Sequence, residues 1–152
     1  MGGDPKLEAR SQKPEYVLGI EGGGTRTTAL LADRRGRILN RLELGPLNLK
    51  LSSDALILAT LRRIRSSCIS HSPSAVSLCL SGCRTPADRE RLRSLAHSAW
   101  PKAQNIFAGN DLDSGFAASF GVGGTGILVI SGTGSCVYGR NGTESARAGG
   151  WG

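Results

Sequence analysis

The chain has 152 residues, 39% of them hydrophobic and 20% charged, with a formal net charge of +7. That balance describes a globular chain long enough to close one core of ordinary size, and it excludes a disordered polypeptide. No apolar run approaches the ~18 residues of a membrane span, and Met1-Gly2-Gly3-Asp4-Pro5-Lys6 lacks the apolar stretch of a signal peptide, so a cytoplasmic location without membrane contact is expected.

Residues 1–14 are polar and read as a loose tail. From Tyr16 the pattern predicts a strand over 16–21, a loop, a strand over 26–33, a turn at Asp33-Arg34-Arg35-Gly36 and a strand over 37–43, which together form an antiparallel meander. Gly45-Pro46-Leu47-Asn48 breaks the chain before a helix from Ser53 to Ser70, where Leu56, Ile57, Thr60, Leu61 and Ile64 recur at helical spacing. A short apolar strand, Ala75 to Leu80, ends in Ser81-Gly82. Pro86 then opens a helix carrying Leu92, Leu95 and Ala96, at a position where no amide donor is needed. A strand at Asn105-Ile106-Phe107-Ala108 follows, and Gly109-Asn110-Asp111 opens a helix to Phe120. A second meander closes the chain, with Asn141-Gly142 as its hairpin turn.

The predicted order is βββαβαβα, followed by the opening strands of a second copy. This implies an α/β mixed sheet with helices covering it. The expected organisation is a first domain over 15–121 and, over 122–152, the start of a truncated second domain. Two arginine clusters, Arg62-Arg63-Arg65 and Arg84 to Arg93, fall on predicted helices without interleaved aromatics and read as solvated faces rather than a nucleic-acid surface. The four cysteines, Cys68, Cys79, Cys83 and Cys136, contain no Cys-x-x-Cys pair and no zinc-spaced histidine. Buried reduced thiols are expected, with an iron–sulfur ligand left open.

Glycine-rich loops carry the chemistry. No Gly-x-x-x-x-Gly-Lys-Ser/Thr is present, which excludes a P-loop. Gly121-Val122-Gly123-Gly124-Thr125-Gly126 has the Gly-x-Gly-x-x-Gly spacing but follows a helix and precedes a strand, the reverse of the dinucleotide fingerprint, and so reads as a hinge or tight turn. Glu21-Gly22-Gly23-Gly24-Thr25 and Ser131-Gly132-Thr133-Gly134-Ser135 each lie between two strand-like runs. Glycines let several amides converge on one anion and the threonine hydroxyl adds a donor, so the repeated loop suits a chain of phosphates gripped from both sides.

Gly19-Ile20-Glu21-Gly22-Gly23-Gly24-Thr25-Arg26-Thr27, Ile130-Ser131-Gly132-Thr133-Gly134-Ser135 and Gly149-Gly150-Trp151-Gly152, with Leu78-Cys79-Leu80-Ser81-Gly82 and Asn110-Asp111 between them, resemble the N-acetylglucosamine kinase and BadF/BadG/BcrA/BcrD ATPase group of the actin/hexokinase-like superfamily. The resemblance covers nearly all of residues 16–152. It implies a ribonuclease H-like mixed sheet with helices on both faces, and an ATP- and Mg²⁺-dependent phosphotransferase that holds an amino sugar, such as N-acetylglucosamine or glucosamine, between two domains. Asp111 would be the general base for the acceptor hydroxyl; by residue type alone it equally caps a helix, and Asp113 is its neighbouring alternative. Glu21 would hold Mg²⁺ through water. Gly22, Gly23, Gly24, Thr25, Gly132, Thr133 and Gly134 would bind phosphates, and Asn48, Ser81, Gly150 and Trp151, with Asp111, would form the sugar pocket. Cys136 stands where the animal sugar kinases carry a sugar-contacting asparagine. The family continues past Gly-Gly-Trp-Gly into an adenine-binding half that this chain does not include. Two alternatives stay open: an ATPase that activates a dehydratase or reductase, and a truncated non-catalytic sugar- or protein-binding module. The partner expected is a small sugar rather than nucleic acid or membrane, with a homodimer left open.

Overall fold

The computed structural model describes residues 16–68, 70–131 and 135–150. Three antiparallel strands, β1 (Tyr16–Gly22), β2 (Thr27–Asp33) and β3 (Ile38–Leu44), are joined in one sheet by β4 (Ala75–Leu80) and β5 (Asn105–Gly109) in the order β3-β2-β1-β4-β5. β4 runs parallel to β1 and β5 parallel to β4, so the sheet is mixed, as the alternation of strands and helices predicted. A second, three-stranded antiparallel sheet consists of β6 (Gly126–Ser131), β7 (Ser135–Asn141) and β8 (Glu144–Gly149) in chain order, with Asn141-Gly142 turning β7 into β8.

Alternation along the strands decides which helix covers which face. Leu18 and Ile20 on β1 and Val76, Leu78 and Leu80 on β4 point into one core, where α1 (Asp54–Ser67) contributes Ile57, Leu61 and Ile64, and α2 (Pro86–Ala99) contributes Leu92, Ala96 and Ala99. Each large aliphatic side chain buried in this way contributes about 1.5–3 kcal/mol. Leu56 belongs to the helical pattern but lies off the buried stripe and is 51% exposed. The other face carries Gly19, Glu21, Ser77 and Cys79 and is covered by α3 (Asp111–Phe120). Helices therefore lie on both faces.

α1 starts where Ser53 accepts from the amide of Leu56 and stops three residues before the expected Ser70, because the amide of Cys68 turns back onto the carbonyl of Arg65. Both α2 and α3 begin with reciprocal capping boxes, Thr85 with Asp88 and Asn110 with Asp113. The run 121–126 is a tight turn that demands glycine: Gly121 and Gly123 have positive φ, and a Cβ on Gly126 would fall 2.4 Å from the Phe120 ring. The second sheet leans on α3 through Tyr138, whose ring meets Phe116 edge-on at 5.5 Å. Its far face leaves Ile127, Val129 and Val137 exposed. Among the described residues no helix is long and apolar enough to cross a membrane.

The arginines of α2 do more than face solvent. Arg91 donates to Asp54 at the start of α1 and to the carbonyl of Leu49. Asp88 is held well below the usual carboxylate range by the ammonium of Lys50 at 2.6 Å, then by the amides of Arg84 and Thr85. A carboxylate whose folded pKa is depressed stabilises the fold above its unfolded value of about 3.9 and loses that contribution as the pH falls. Asp88→Asn should therefore lower the unfolding free energy at pH 7 by about 1–2 kcal/mol and flatten the loss of stability between pH 4 and pH 2, as measured by denaturant titration.

Candidate active site

Ligands of open α/β sheets bind beyond the carboxyl ends of the strands, and the cleft of this chain lies there. It encloses about 360 Å³ and is lined, among others, by Asn48, Ser81, Asn110, Asp111, Cys136 and Gly150. This volume falls in the range typical of small-molecule sites. Residues from three separate loops of the first sheet thus meet the second sheet in one cavity. The segment after β3 is drawn in by backbone pairing: Leu47 donates to the carbonyl of Gly23, and Leu49 to that of Ser81. This pairing places Asn48 beside Ser81, and its side-chain amide donates to the Ser81 hydroxyl at 3.0 Å. Gly82, at φ +86, has to be glycine, since a Cβ would lie 2.7 Å from the Asn48 Oδ1 atom.

Two carboxylates occupy the first turn of α3, and the structure assigns them different surroundings. Asp113 is 9% exposed and turns inward. Its Oδ2 accepts from the Asn110 amide at 3.0 Å and from Arg89 at 3.5 Å, while its Oδ1 lies 3.5 Å from Arg140 of β7. Gly109 makes room for it, because a Cβ there would lie 2.7 Å from Asp113 Oδ2. The Asp111 carboxylate lines the cleft and has no hydrogen-bond or ion-pair partner among the described residues. Between these two positions, Asp111 is the one whose carboxylate is open to a ligand.

The first glycine loop divides by role. Gly22 is a strand residue: its carbonyl accepts from the Ser81 amide, and the space of its missing Cβ is taken by Leu80 and Leu47. Gly23 closes the turn by donating to the carbonyl of Arg26 at 3.0 Å. The amides of Gly24, Thr25 and Arg26 donate to no protein acceptor among the described residues, and Gly24 and Thr25 are exposed. Such successive open amides are suited to an anion. Gly132, Thr133, Gly134 and Trp151, expected in the second phosphate loop and the sugar pocket, lie outside the described residues.

Glu21 faces α3 rather than the cleft proper, and its carboxylate lies 3.2 Å from the Ser114 hydroxyl, which also donates to the carbonyl of Asp111 at 2.9 Å. An exposed carboxylate with oxygen ligands only is chemically suited to a hydrated Mg²⁺. Among the described residues no three His, Cys, Asp or Glu side chains converge as a metal-binding set. All four cysteines are buried and unbridged. Burial pushes the Cys79 thiol up to about 11, with Asp113 and Glu21 adding to the shift, and burial raises Cys83 as well.

Three cations that residue spacing does not mark also line the cleft: Lys50, Arg84 and Arg147. The position of Arg84 offered a signal, since it precedes the Thr85 cap and so lies in the loop after β4 rather than on the helix.

No family model matches the chain. The N-acetylmuramic acid/N-acetylglucosamine kinase of Clostridium acetobutylicum is 30% identical over 149 residues, covering 91% of this chain and 47% of that protein. A solved structure named as a candidate N-acetylglucosamine kinase of Porphyromonas gingivalis superposes with a TM-score of 0.72 at 28% identity over 88% of this chain and 47% of that one. A second such structure, from Chromobacterium violaceum, gives 0.61 at 26% identity over 91% and 50%. A ROK-family glucokinase of Streptomyces griseus, solved with glucose and AMPPNP, shares the fold at 17% identity, with a TM-score of 0.61 over 88% of this chain and 46% of that one. The chain thus spans about half the length of the relatives it matches.

The division of roles in α3 has a direct test. Asp113→Ala should lower the unfolding free energy by about 1–3 kcal/mol, whereas Asp111→Ala should change it by less than about 1 kcal/mol in calorimetric melting. In sequence and in fold, the chain is similar to about half of the N-acetylmuramic acid/N-acetylglucosamine kinase of Clostridium acetobutylicum and of the Porphyromonas gingivalis structure, and its mixed sheet with helices on both faces is the actin/hexokinase-like fold of its sugar-kinase neighbours.

Proposed function

We propose that this chain is the acceptor-binding, base-bearing half of an ATP-dependent kinase of amino sugars, N-acetylglucosamine, glucosamine or a close relative. The observation that carries the reading is the unpartnered Asp111 carboxylate, which shares one cleft with Asn48, Ser81 and Gly150. Asn48 and Ser81 supply neutral donors and acceptors suited to sugar hydroxyls, and their mutual hydrogen bond holds them in register before a ligand arrives. Asp111 accepts the proton of the acceptor hydroxyl as that oxygen attacks the terminal phosphorus of ATP and the bond from that phosphorus to the bridging oxygen breaks, so the carboxylate ends as a carboxylic acid, the sugar as its phosphate ester and the nucleotide as ADP.

The open amides of Gly24, Thr25 and Arg26, with the Thr25 hydroxyl, would grip phosphate oxygens from one side, and the loop Gly132-Thr133-Gly134 would supply the other. Mg²⁺, held through water by Glu21, would neutralise charge on the phosphates. A cytoplasmic location goes with this reading, since ATP is its phosphoryl donor.

In the full protein, sugar-stimulated ADP release should depend on Mg²⁺ and stop on chelation. Asp111→Asn should lower kcat by about 10²–10⁴ while sugar affinity changes only a few-fold. ADP release that no amino sugar stimulates, or near-normal kcat in the variant, would contradict the assignment.

A further inference from the structure

The sugar-kinase reading leaves the cations of the cleft unused. Arg84, from the loop between β4 and α2, and Arg147, from β8, reach in from opposite sheets and donate to the same atom, the Gly150 carbonyl oxygen, at 3.3 and 3.0 Å. Both are exposed, and among the described residues neither meets a carboxylate. Other arginines of this chain do: Arg89 and Arg140 pair with Asp113, Arg91 with Asp54, and Arg93 with Glu90. The third cation of the cleft, Lys50, is neutralised by Asp88 at 2.6 Å.

Two guanidinium groups held on one neutral oxygen repel each other, and a single carbonyl leaves most of their donors unused. A carboxylate placed between them would cancel that repulsion and accept from both planar forks, the geometry in which arginine binds carboxylates best. Because Arg84 and Arg147 line the same cavity as Asp111, an anion held there would belong to a molecule whose hydroxyl faces the base.

We propose that Arg84 and Arg147 form a carboxylate-reading pair at the rim of the cleft, so that the preferred acceptor is an amino sugar bearing an acidic substituent rather than a neutral one. The proposal rests on the sugar-kinase reading for the identity of the acceptor. The Clostridium acetobutylicum relative is named for both kinds of sugar: N-acetylmuramic acid is N-acetylglucosamine with a carboxylate carried on a lactyl ether. A phosphate of ATP is the other anion that two arginines could hold, and the experiment separates the two sources.

The test is calorimetric titration of the full protein, and of its Arg84→Gln and Arg147→Gln variants, with N-acetylmuramic acid, N-acetylglucosamine and ATP. The pair predicts that the wild type binds the acidic sugar about 10-fold to 100-fold more tightly than the neutral one. Each substitution should bring that ratio at least fivefold closer to one, and raising the salt should do the same. Equal affinities in the wild type, no binding of the acidic sugar, or a ratio unchanged in both variants would overturn the proposal. So would substitutions that weaken ATP as much as the acidic sugar. If the acidic preference and its loss in the variants are seen but no sugar is phosphorylated, the pair stands and the kinase reading falls.

Discussion

The arrangement of the cleft depends on the buried carboxylate of Asp113. It caps α3 through Asn110, reaches Arg89 of α2 and Arg140 of β7, and fits only because Gly109 leaves a gap at the end of β5. A buried carboxylate is costly unless its oxygens are satisfied, so these groups are drawn toward one point and fix the first turn of α3 against both sheets. Asp111 stands two residues earlier, where a rotation of roughly 100° per residue turns it to the other side of the helix. Holding one carboxylate inward therefore presents the other outward, into the cleft.

The remaining walls follow from glycines that make close approach possible. Gly22 lets the segment after β3 cross over the end of β1, which carries Asn48 to Ser81. Gly82 then accepts a positive φ and leaves room for the Asn48 side chain. At the other end of α3, Gly126 lies against the Phe120 ring, so that β6 can start directly beside the helix. The cleft is thus built through packing: small residues at strand ends bring polar side chains from distant parts of the chain within hydrogen-bond distance.

Much of this could be read in the sequence. Period-two apolar runs, the Asn141-Gly142 turn and the proline opening α2 located the elements to within a few residues. What could not be read depends on tertiary neighbours. Asp111 and Asp113 are equivalent as first-turn carboxylates until Arg89 and Arg140 are seen to select Asp113. Arg84 belonged to a run that looked like a solvated helix face, and only the approach of β8 gives it a partner arginine. Leu56 fitted the apolar pattern of α1 yet lies outside its buried stripe, because periodicity marks a face without fixing its edges.

The proposed acceptor site rests on the freedom of Asp111 and the confinement of Asp113. A crystal structure of the full protein with a bound amino sugar tests it most directly. That structure should show a sugar hydroxyl about 2.6–3.2 Å from an Asp111 oxygen, with Asn48 and Ser81 on the ring and Asp113 still held by Asn110 and its two arginines. A sugar bound outside this cleft, or one whose nearest carboxylate is Asp113, would contradict it.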